Sequence, residues 1–167
     1  VSDFSFPAFI DAQNNKVDIN IGGEVHQITI EKGSYSFSDL AAKVNEKLSS
    51  EEDSEGNPLN KMVKAVVDPN RGIKFVGVQT FDEDQTLKVT QSGKDYEIKI
   101  EKGTYGMDQL SSTINSKLSA IKGEDGKALS TKLTASVSVD GTSIVYTKEN
   151  DGDDISADRY FKSDFSI

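Results

Sequence analysis

Apolar and polar residues alternate through Val17, Ile19 and Ile21, break at Gly22-Gly23, and alternate again to Ile28 and Ile30. Alternation of this kind marks a half-buried strand, and two such runs joined by a glycine pair predict a hairpin. The spacing then changes. Phe37, Leu40, Val44 and Leu48 recur at helical intervals, which predicts one apolar stripe along a helix whose other faces carry Lys, Glu and Ser. Ser36 or Ser38 stands where a side chain can cap the first amides of that helix. A polar loop runs from Glu51 to Pro58, and strand signals return at Met62 to Val67 and Ile73 to Val78, on either side of Pro69-Asn70-Arg71-Gly72.

The same succession is then written a second time. Leu87 and Val89 lead to a Ser92-Gly93 turn and to Tyr96, Ile98 and Ile100; Met107, Leu110, Ile114, Leu118 and Ile121 form the second helical stripe, with Thr104 or Asp108 as its cap. After a loop at Lys122 to Gly126 come strand signals at Leu133 to Val139 and Ser143 to Thr147, around Asp140-Gly141. Set against each other without a gap, Val17–Val67 and Leu87–Val137 are identical at roughly a third of their positions, where unrelated sequences would share about one in seventeen. The expected fold is therefore α+β, two tandem ββαββ modules, each a helix packed on a small antiparallel sheet. The first module, with an N-terminal extension, takes residues 1–81; the second, with a C-terminal extension, takes 82–167. Gly23 and Gly93 hold the same place in the two hairpin turns, which predicts a positive φ there.

Outside the repeat, aromatic residues crowd both ends of the chain: Phe4, Phe6 and Phe9 with Ile10 around Pro7, then Tyr160, Phe161 and Phe165 between Ile155 and Ile167. The expected arrangement sets the two ends side by side, as an insert leaves and re-enters a host domain. Composition narrows the partners. A net charge of -9, with 28 acidic against 19 basic residues spread over both halves, opposes binding along a phosphate backbone, so no nucleic acid is expected. No run approaches the roughly 20 apolar residues of a membrane span, so no membrane partner is expected either. The absence of Cys removes disulfides and thiolate metal sites.

Candidate chemistry is sparse. His26 is the single histidine, set among polar neighbours and replaced by Tyr96 in the second copy, and reads as a solvent-facing strand residue. Glu149, Asp151, Asp153 and Asp154 gather carboxylates, but their spacing departs from the EF-hand order, which favours a solvated acidic turn over a calcium site. The block Glu31-Lys32-Gly33-Ser34-Tyr35, repeated as Glu101-Lys102-Gly103-Thr104-Tyr105, offers two readings: paired tyrosine contacts, or a strand-to-helix turn with each Tyr over the helix end. The second is favoured, since repeats keep what folds them. No phosphate loop, Ser/His/Asp set or carboxylate pair in an apolar setting can be assembled. No catalytic, cofactor-binding or metal-ligating residue is assigned, and no enzyme activity is expected.

The succession Ile28-Thr29-Ile30, Gly33, Leu40-Ala41-Ala42-Lys43-Val44-Asn45, Val63-Lys64-Ala65-Val66-Val67-Asp68 and Gly72-Ile73-Lys74-Phe75 resembles the flagellin IN motif. The second copy supplies Leu110, Ile114-Asn115, Leu133-Thr134-Ala135-Ser136-Val137 and Asp140-Gly141 with Ile144 and Val145. The resemblance implies an exposed outer domain of a bacterial flagellin, or of a flagellar hook-associated or cap protein: extracellular, structural, and joined to other filament subunits through segments outside this chain. Against the motif, the loops before Met62 and Leu133 are long, and the heptad helices with which flagellins polymerise are absent from the chain. A phage-tail or adhesin module recognising a carbohydrate or host protein is the alternative expectation.

Overall fold

The computed structural model describes residues 8–70 and 72–167 and is an α+β molecule of antiparallel strands and two helices. In chain order the elements are β1 (Ala8–Ile10), β2 (Lys16–Ile21), β3 (Glu24–Thr29), β4 (Gly33–Tyr35), α1 (Phe37–Ser50), β5 (Val63–Asp68) and β6 (Gly72–Phe81). There follow β7 (Gln85–Gln91), β8 (Lys94–Ile100), β9 (Gly103–Gly106), α2 (Met107–Ala120), β10 (Leu133–Val137), β11 (Ile144–Lys148), β12 (Ile155–Ala157) and β13 (Phe165–Ser166). A turn of 3-10 helix precedes β5 at Leu59–Lys61, and another precedes β10 at Leu129–Thr131. The chain forms two compact units, one of the described residues up to Val78 together with Ser163–Ile167, the other of Gln79–Lys162.

In the first unit β2 and β3 form the expected hairpin, with Ile19 opposite His26 and Ile21 opposite Glu24. Gly22 and Gly23 both take positive φ, 58° and 91°, the backbone that a two-residue turn needs to follow strand twist. Ser36 caps α1 by accepting the Asp39 N–H at 3.1 Å. The stripe predicted for α1 is buried at Leu40, Val44 and Leu48, joined by Ala41, and packs with Ile19, Ile28, Leu59, Val63 and Ala65. Full burial of a Leu or Ile contributes about 1.5–3 kcal/mol, so this cluster carries most of the unit's stability. One expectation is corrected: the helix does not lie on a single small sheet. β2–β3 and β5–β6 belong to different sheets, and α1 packs chiefly on β5, with smaller contacts to β3 and β4. Short β4 pairs instead with β1, Ala8 opposite Tyr35.

The second unit follows the same order. Ser92 and Gly93 turn with φ of 51° and 81°, and β7 and β8 pair from Gln85–Ile100 to Gln91–Lys94. α2 buries Met107, Leu110, Ile114 and Leu118. Ile121, expected on that stripe, lies past the helix end as its C-cap. Neither Thr104 nor Asp108 caps α2: Gly106 holds the N-cap position, and the Gln109 Oε1 accepts its N–H at 2.9 Å. β6 runs on to Phe81, three residues past the predicted Val78 end, and a short bend leads into β7.

The aromatic C-terminal segment supplies a third strand to each hairpin. Ile155–Ala157 pairs with β7, and Phe165–Ser166 pairs with β2. Ile155, Phe161 and Phe165 are buried, whereas Tyr160 and Ile167 are exposed. At the other end Phe9 is 71% exposed, so it does not pack as its aromatic character suggested. Phe4, Phe6 and Pro7 lie outside the described residues.

Candidate functional site

Asn45 sits on α1 and reaches across to β5, where its amide nitrogen donates to the Ala65 carbonyl at 2.9 Å and its Oδ1 accepts the Ala65 N–H at 2.7 Å. Asn115 on α2 does the same to Ala135 on β10, at 2.8 Å and 2.7 Å. A side-chain amide thus stands in for the missing neighbour strand, satisfying a donor and an acceptor beside buried Ala65 and Ala135. Both Asn residues and both Ala residues recur in the repeat, yet only this geometry explains why. The signal available in the sequence was the retention of a polar residue beside the apolar helix stripe.

The tyrosine hydroxyls of the repeated block bond locally. Tyr35 donates its hydroxyl to the Glu31 carbonyl at 2.8 Å, and Tyr105 donates to the Glu101 carbonyl at 2.8 Å. The ring folds back over Gly33, where an added Cβ would sit 3.5 Å from Tyr35 Cε2. Each Tyr therefore closes its own strand turn, and Tyr35 also packs against the core cluster that holds the α1 stripe.

His26 is half-buried, not solvent-facing as its polar neighbours suggested. It shares the core-directed face of β3 with Ile28, opposite buried Ile19, and its Nε2 is buried without a hydrogen-bond partner. Tyr96, opposite buried Val89, takes the equivalent place under Lys94, whose Nζ is 5.5 Å from the ring centroid.

A concave feature lies in the second unit. A cleft of about 410 Å³ is lined by Gln91, Ser92, Glu124, Asp125, Lys132, Asp153, Asp154 and Ile155. Asp153, from the acidic stretch, is held by Lys132 Nζ at 3.8 Å and by the Asn150 N–H at 3.3 Å, while Lys148 Nζ donates to its carbonyl at 3.2 Å. The Asp154 carbonyl takes the Ser92 N–H at 2.9 Å. Among the described residues no three His, Asp or Glu side chains gather where they could hold a metal. Of this stretch, the Asp153 carboxylate is engaged in an ion pair and a turn.

Displaced titrations lie outside the cleft. Hydrogen bonds from Ser138 and Thr142 hold the Asp140 carboxyl at about 2, and burial pushes the Tyr146 phenol to about 12. Lys47, 3.0 Å away, lowers Glu31, and the Lys102 N–H lowers Asp84. Apart from the Tyr146 phenol, which burial raises with Asp158 and Arg159 nearby, these are surface pairs and turn contacts. Among the described residues no helix is long and apolar enough to cross a membrane. No family model matches the chain, and neither curated proteins nor solved structures give a match.

Proposed function

We propose that the chain is a non-catalytic structural domain, an exposed, extracellular outer portion of a bacterial flagellar filament or filament-associated protein. The two units are read as tandem copies built on a ββαββ plan, extended by the short strand before each helix and by two closing strands from the C-terminal segment. The observation that carries this reading is the Val44-Asn45 and Ile114-Asn115 pair. These dipeptides belong to the succession that resembles the flagellin IN motif, and in each unit the Asn ties helix to strand. The retained Asn is thus spent on folding, which suits a module whose task is to hold a shape on a polymer built by other segments. The excess of carboxylates supports the same reading, since like-charged exteriors keep crowded copies from associating. The test is fractionation of cells expressing the parent protein. Antibody against residues 8–167 should find it in sheared, washed filaments; consistent absence from filaments, with recovery in phage tails or a host-binding fraction, would replace this reading with the alternative.

A further inference from the structure

The chain holds three Asp-Gly pairs, Asp125-Gly126, Asp140-Gly141 and Asp151-Gly152, all in the second unit. This dipeptide has a chemistry of its own. The glycine amide nitrogen attacks the side-chain carboxyl carbon of the aspartate before it, and the missing Cβ leaves both the approach and the backbone free to allow it. A bond forms between that nitrogen and Cγ, the Cγ–OH bond breaks, and the hydroxyl leaves with the amide proton as water. The product is a five-membered succinimide. Water then adds back at one of its two carbonyls. Opening at the side-chain carbonyl restores aspartate; opening at the main-chain carbonyl gives isoaspartate, whose backbone runs through Cβ and Cγ and is one carbon longer.

The fold separates the three pairs. At Asp125 the carboxylate accepts the Lys127 N–H at 3.0 Å, and the Gly126 N–H is committed to the Gly123 carbonyl at 3.0 Å. At Asp140 one carboxylate oxygen accepts the Ser138 hydroxyl at 2.6 Å, the Thr142 hydroxyl at 2.8 Å and the Thr142 N–H at 3.1 Å, while the Gly141 N–H donates to the Ser138 carbonyl at 2.9 Å. Those bonds also keep Asp140 ionised, the form with no hydroxyl to expel. Asp151 and Gly152 differ on every count. Both are exposed, at the centre of a turn closed by the Asp153 N–H on the Asn150 carbonyl at 3.0 Å. Among the described residues neither the Asp151 carboxylate nor the Gly152 N–H has a hydrogen-bond partner.

We propose that Asp151-Gly152 is the pair that isomerises spontaneously in the folded chain, with water as the only co-reactant, and that the conversion loosens β12. The second half follows from what the turn leads into. The Asp153 carboxylate accepts the Asn150 N–H at 3.3 Å and faces Lys132 Nζ at 3.8 Å, and its carbonyl takes Lys148 Nζ at 3.2 Å. One residue on, the Asp154 carbonyl accepts the Ser92 N–H at 2.9 Å, and Ile155 enters the core. A backbone carbon added between Asn150 and Asp153 displaces the two sides of this set from each other. The proposal does not depend on the filament reading.

The test holds the full chain, folded and at mildly acidic pH, in water enriched in heavy oxygen. Each passage through the succinimide places a heavy oxygen on the residue, read by mass spectrometry of its peptide, and electron-transfer fragmentation distinguishes isoaspartate from aspartate. The bonds that ring closure must break at Asp125 and Asp140 predict a label at Asp151 at least about tenfold above either. In guanidinium chloride, which removes the turns, the three pairs should take up label at similar rates. Gly152→Ala should remove most of the Asp151 label and leave the melting temperature in place, since nothing lies within 4 Å of the added Cβ. The separated isoaspartyl chain should exchange its Ser92 amide at least about tenfold faster than the parent, as the loss of that bond requires. Equal label at the three pairs in the folded chain, a lead at Asp125 or Asp140, or an Asp151 lead that persists in denaturant would overturn the site. Unchanged Ser92 exchange in the isoaspartyl chain would overturn its effect on β12.

Discussion

Asn115 carries more of the second unit than its size suggests. Replacing it with Ala removes two hydrogen bonds and leaves the amide and carbonyl of Ala135 unpaired, at roughly 1–3 kcal/mol for each buried group. Asn115→Ala is expected to cost about 2–4 kcal/mol in urea unfolding, with Asn45→Ala similar in the first unit. Tyr105→Phe loses a single, more exposed bond and should cost no more than about 1 kcal/mol by the same measurement. Asp140 makes a pH-dependent contribution. Its folded value of about 2 lies below the ordinary 3.8, so the stability it adds is fully present above the ordinary value and lost as the pH falls through the folded one. Melting temperatures recorded from pH 5 to 2 should fall less steeply for Asp140→Asn than for the parent chain.

At the scale of elements, the long periodic segments were legible and the short ones were not. Hairpins β2–β3 and β7–β8, and the two helices, follow directly from alternation and helical spacing, because each has enough residues to express a period. Strands β4, β9, β12 and β13 have two to four residues, too few for periodicity, and exist because a distant neighbour offers amides to pair with. The 3-10 turns at Leu59 and Leu129 fall between the loops and strands that the pattern marks, although both leucines are fully buried. His26 was misplaced for a related reason: its chain neighbours are polar, but its face of β3 is set by Ile28, two residues on. In the candidate cleft, the acidic stretch was legible, while its engagement by Lys132 and Lys148 required the fold. The turns give a further prediction. Gly93→Ala, at φ 81°, should cost about 1–2 kcal/mol, whereas Ser92→Gly, at φ 51°, should be neutral or stabilise by up to about 0.5 kcal/mol, both read by thermal melting.

Across the whole molecule, two features of the sequence acquire a shared explanation. The residues retained between the copies fold each unit from within, and the aromatic C-terminal segment, which the repeat lacks, closes both hairpins. Ile155→Ala should therefore destabilise the second unit by about 2–4 kcal/mol, as expected for a truncated core side chain, even though Ile155 lies outside the duplicated stretch. A chain organised in this way invests its distinctive residues in shape, which is the basis for reading it as a structural domain. Amide hydrogen exchange at Ala65 and Ala135 tests that claim most directly. These two N–H groups should exchange only on global unfolding of their units, and Asn45→Ala and Asn115→Ala should each strip protection from the amide it served and from the strand around it. Fast exchange in the parent chain, or protection unchanged by either substitution, would contradict the account.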